Sequence, residues 1–113
     1  MSIQSFWTEV KCVEADLSII KTNINQLMEA DINTSTLIKD INNVASGIQL
    51  RLNQMRILSN NKYDFTLSML IKQFIMTMNI YTQIHREIHQ IRNELIYTIM
   101  LINTHLTDLE EVD

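Results

Sequence analysis

The chain has 113 residues, enough for one domain and too few for two ordinary ones, so its elements are expected to share one core over residues 1–113. It contains no proline and one glycine, Gly47, with 46% hydrophobic residues, which leaves helices uninterrupted and deprives strand turns of their usual residues. Nine Lys and Arg are scattered against thirteen Asp and Glu, for a formal charge of -4, so a basic footprint for nucleic acid or anionic lipid is missing.

The first helix is predicted over about 4–30. Phe6, Val10, Val13, Leu17, Ile20, Ile24 and Leu27 alternate steps of four and three, a single narrow apolar stripe. Glu9, Lys11, Glu14, Asp16, Lys21, Asn23 and Asn25 lie between them and make the opposite face polar. The segment Asp31-Ile32-Asn33-Thr34-Ser35-Thr36 reads as a loop leading into an N-cap, because short polar side chains compete for backbone hydrogen bonds.

The second helix is predicted over 34–59. Its stripe is Leu37, Ile41, Val44, Ile48, Met55 and Leu58, flanked by Ile38, Ala45 and Leu52, with Arg51 at the one stripe position that is not apolar. Gly47 inside this helix costs about 1 kcal/mol relative to alanine. The polar turn Ser59-Asn60-Asn61-Lys62 ends it.

A long third helix is predicted over 64–110, with Asp64 as its N-cap. Leu67, Ile71, Phe74, Met78, Tyr81, Ile88, Leu95, Ile99, Ile102, Leu106 and Leu109 form its stripe, and His85 and Arg92 fill the two polar gaps. At 1.5 Å per residue it approaches roughly 70 Å, so its C-terminal third is expected to overhang two shorter partners. The expected fold is all-α, an antiparallel up-down-up three-helix bundle of left-handed crossing, with Val13, Leu17, Ile20, Ile41, Ile48, Phe74, Met78, Tyr81 and Ile88 in one core.

Catalytic and cofactor chemistry has few footholds. Cys12 is the only cysteine, so no internal disulfide forms, a reducing compartment is expected, and the thiol reads as a small packing residue. His85 and His89 stand one turn apart, a spacing that suits a shared metal, but Arg86 and Ile88 flank the intervening Glu87, which is misplaced for a zinc protease motif. Neither a metal, a cofactor nor an enzyme activity is expected. The longest apolar run, Leu95 to Ile102, is broken by Tyr97 and Thr98 and falls well short of the roughly 20 residues of a membrane span. The closing Leu109-Glu110-Glu111-Val112-Asp113 is similar to the tail by which cytosolic chaperones engage TPR proteins, a four-residue match of low specificity.

The first helix, opening Phe6-Trp7-Thr8-Glu9-Val10-Lys11-Cys12-Val13, and the segment Leu70-Ile71-Lys72-Gln73-Phe74-Ile75-Met76-Thr77-Met78-Asn79-Ile80-Tyr81 together resemble the N-terminal regulatory (Habc) domain of syntaxin-type SNAREs. That family opens its first helix with two aromatics and carries the pattern LxxxFxxxMxxY in its third. The resemblance implies a regulator of SNARE assembly in vesicle fusion, on the cytosolic face of an endomembrane or the plasma membrane, in a parent protein anchored by a C-terminal segment beyond this chain. Its implied partners are the parent's own SNARE helix, other SNAREs and an SM-family protein, with the groove between the second and third helices as the docking place.

From helical angle, Met69, Met76 and Ile80 point away from a core centred on Tyr81, and Leu50 and Ile57 point away from Ile48. These five are the expected protein-binding residues. The alternative function is a structural, self-associating helical scaffold, a homo-oligomer formed through the third helix.

Overall fold

A computed structural model describes residues 1–29 and 34–112, and the side chains of these residues except 109–112. The described residues are helical and contain no strand, in the order α1 (Ile3–Leu27), α2 (Thr34–Ser59) and α3 (Asp64–Val112). They form two units, Met1–Tyr81 and Thr82–Asp113, and α3 contributes to both.

In the first unit, α1 starts where Ser2 caps it: the Ser5 N–H donates to Ser2 Oγ at 3.1 Å and the Phe6 N–H to the Ser2 carbonyl at 3.0 Å. All seven stripe residues of α1 are buried, as their spacing requires. The helix ends at Leu27 rather than 30, with residues 28 and 29 in a turn and a bend. Of the expected loop, residues 31–33 lie outside the described residues, while Thr34, Ser35 and Thr36 already belong to α2.

The α2 core face is rotated from the expected stripe. Leu37, Ile41, Ala45, Ile48, Leu52, Met55 and Ser59 are buried, Val44 and Ile38 are half-buried, and Leu58 is exposed. Adjacent residues sit about 100° apart, so a helix encloses one member of the pairs 44/45 and 58/59 and turns the other outward. Ser59 tolerates enclosure because its hydroxyl donates to the Arg56 carbonyl at 3.4 Å. Asn60 and Asn61 then take left-handed backbone angles, φ 51° and 65°, a conformation asparagine reaches more readily than other side chains. The Lys62 N–H returns to the Ser59 carbonyl at 3.0 Å and closes the turn.

The N-cap of α3 is Tyr63, whose carbonyl accepts from the Leu67 N–H at 3.0 Å, and Asp64 is the first helical residue, where its charge favours the positive end of the helix dipole. Its enclosed residues within the first unit are Leu67, Leu70, Thr77 and Tyr81. Phe74 and Met78, expected in the core, are half-buried, and so is Ile71; Ile88, in the second unit, is half-buried too. The buried face is therefore centred close to Tyr81, with Leu70 and Thr77 enclosed on one side in place of Ile71 and Met78 on the other. Thr77 enters it at no cost in unpaired groups, since its hydroxyl donates to the Gln73 carbonyl at 2.8 Å.

Polar and ring contacts among the described residues add to the apolar core of the first unit. The Met1 ammonium donates to the Leu58 carbonyl at 3.1 Å, and Arg51 Nη1 donates to Glu9 Oε2 at 2.5 Å. The Tyr63 ring stacks on Phe6 with centroids 4.2 Å apart, and the Tyr81 hydroxyl is hydrogen-bonded with Asn42. Burial raises the Tyr81 phenol above its ordinary pKa, and the Asn42 bond partly offsets this.

Candidate functional site: an apolar groove between α2 and α3

The half-buried Phe74 borders an apolar depression in the first unit. Leu52, Ile71, Phe74 and Ile75 form its floor and walls, and Gln49, Asn53 and Arg56 form a polar rim; it encloses about 340 Å³ and is open to solvent. On α3 these apolar residues follow from position: Ile71 and Ile75 are one turn apart, and both lie about 100° or less from Phe74. On α2, Asn53 and Arg56 are held to each other, with Arg56 Nη2 donating to Asn53 Oδ1 at 2.8 Å. A groove with aliphatic walls and amide and guanidinium edges suits the apolar stripe of an amphipathic helix, whose flanking polar groups meet the rim.

None of the five residues expected to bind a partner lines this groove. Met69, Met76 and Ile80 are exposed on one face of α3, about 100° or more around the helix from Ile71 and Ile75, and Phe65, 82% exposed, extends that stripe by one turn. Leu50 and Ile57 are exposed on the side of α2 opposite its core, where Leu50 borders two shallow hollows, one with Ser46, Gln49 and Asn53 and one with Glu9, Gly47, Arg51 and Gln54. The outer α3 stripe thus stands apart from the groove, while the hollow beside Leu50 adjoins the groove through Gln49 and Asn53.

Ile75 was the residue that sequence reasoning missed. It lies about 120° from Tyr81, as far from the core axis as Met69 but on the other side, and a search for outlying apolar residues on both flanks would have found it.

No family model, curated protein or solved structure matches this chain. The groove and the stripes therefore carry the functional argument on their own chemistry.

The remaining candidates for chemistry stay apart. In the second unit the His85 and His89 rings meet edge to face with centroids 4.5 Å apart, and burial, then the neighbouring His89, hold His85 below the ordinary imidazole pKa. Among the described residues no group of three or more His, Cys, Asp or Glu is placed to hold a metal ion. Cys12 is half-buried on α1. Among the described residues no helix is long and apolar enough to cross a membrane. The tail motif Glu110 to Asp113 lies outside the residues whose side chains are described.

Proposed function

We propose that this chain is the N-terminal regulatory domain of a syntaxin-like SNARE, an up-down-up, left-handed three-helix bundle that controls SNARE assembly by taking an amphipathic helix into the α2–α3 groove. The groove itself carries the reading: Leu52, Ile71, Phe74 and Ile75 present apolar surface at the place where the residues resembling that family imply docking. The occupant is the SNARE helix of the parent protein, and while it is bound its apolar stripe is unavailable to other SNAREs. An SM-family protein is the second partner, and the setting is the cytosolic face of an endomembrane or the plasma membrane. Nothing in this role calls for catalysis, a metal or a cofactor.

Titration calorimetry with a synthetic syntaxin-type SNARE helix tests it. Ile75→Glu should abolish binding, because the complex would have to bury an unpaired carboxylate. The double variant Met76→Glu, Ile80→Glu should bind as the parent does. Loss of binding only in the double variant would move the contact to the outer α3 stripe, and no binding by the parent chain would overturn the SNARE reading.

A further inference from the structure

The second unit poses a separate problem, because its helix carries a continuous apolar face that is largely uncovered. Ile88, Ile91, Leu95, Ile99, Ile102 and Leu106 fall within about 40° either side of Leu95 at roughly 100° per residue. Ile88 is half-buried, and the other five range from 48% exposed at Ile99 to 65% at Ile91. We propose that this face packs against the same face of a second copy of the chain, as a parallel, in-register two-stranded coil.

Three observations name the occupant. The first is the spacing, which departs from a strict heptad: Ile91, Leu95 and Ile99 follow in two consecutive steps of four. A partner with an uninterrupted seven-residue repeat would drift out of phase across that step, whereas a second copy in register carries the same departure at the same height.

The second is charge. Glu87 and Glu94 lie on one flank of the face, about 80° and 100° from its centre, while Arg92 lies on the other, at about 60°. Two parallel copies bring the acidic flank of one helix against the basic flank of the other, with Glu87 near Arg92 of its counterpart; an antiparallel pair would set acid against acid. The third is area. At roughly 100 Å² for each half-exposed aliphatic side chain, the five residues supply about 500 Å² per copy and about 1,000 Å² for the pair, the size at which a specific interface begins. Association of this kind is independent of groove docking in the first unit, so either can fail alone.

Sedimentation equilibrium on the whole chain is expected to give twice the 13.3 kDa monomer mass at high concentration. The double variant Ile99→Asp, Ile102→Asp should be monomeric throughout while keeping its far-ultraviolet circular dichroism. Glu87→Arg should weaken association about two- to fivefold, and adding Arg92→Glu should recover it. In a Cys12→Ser background, Ile102→Cys should form an interchain disulfide on mild oxidation, since residue 102 meets its own counterpart only in the parallel register. A chain that stays monomeric, a trimeric mass, or an Ile102→Cys variant that dimerises without cross-linking would each overturn the proposal.

Discussion

The ring of Tyr63 lies on the ring of Phe6, 4.2 Å between centroids and 21° between planes, and joins the first turn of α1 to the residue that caps α3. Phe6 is fully enclosed, so Phe6→Ala should cost about 3–5 kcal/mol, read from urea unfolding. The Tyr63 hydroxyl is buried without a hydrogen-bond partner. Tyr63→Phe, which keeps the stack and removes that group, should leave stability unchanged or raise it by about 1 kcal/mol. A loss of stability in Tyr63→Phe would show that the hydroxyl is paired.

Gly47 lies inside α2, and a Cβ added there meets no atom within 4 Å. Gly47→Ala should therefore stabilise the protein by about 0.5–1 kcal/mol, by helix propensity and a less flexible unfolded chain. A higher thermal midpoint is the expected readout.

Arg51 interrupts the apolar stripe of α2 because it reaches Glu9 of α1, and the hydrogen bond it donates to that carboxylate raises the guanidinium pKa. Both side chains remain about one-third exposed, so solvent screens the pair. A double-mutant cycle with Glu9→Gln and Arg51→Met should give a coupling of no more than about 1 kcal/mol, shrinking as salt is added.

Phe74 is half-buried and faces the groove. Phe74→Ala should cost about 2 kcal/mol, well below the loss at Phe6, since only part of its ring leaves water on folding. Equal losses at the two positions would place Phe74 back in the core.

His85 has a folded pKa below its ordinary value, so the unfolded chain binds the proton more readily than the folded one. Its contribution is complete above the ordinary imidazole value near 6.5 and is lost as pH falls through the lowered folded value. Melting from pH 8 to 5 should show a decline on the acid side that is smaller in His85→Gln. Added zinc should leave the midpoint unchanged, because ligand binding to the native state alone would raise it.

Spacing alone determined the three helices and every buried residue of α1, because seven apolar residues in unbroken steps of four and three leave that helix one face to hide. The Asn60-Asn61 turn was legible for a similar reason, since two residues that tolerate left-handed angles stand together between two stripes. On α2 and α3 the apolar residues are too abundant to define one face, and local sequence gives Val44 and Ala45, Leu58 and Ser59, or Ile71 and Leu70 comparable claims to the core. Packing between helices decided among them, enclosing Ser59 and Thr77, whose hydroxyls bond back to their own helix, and turning Leu58 and part of Phe74 outward. The groove lies where the half-buried Ile71 and Phe74 of α3 meet Leu52 of α2. It depends on side chains from two helices meeting at one level, a relation that periodicity along a single helix does not contain.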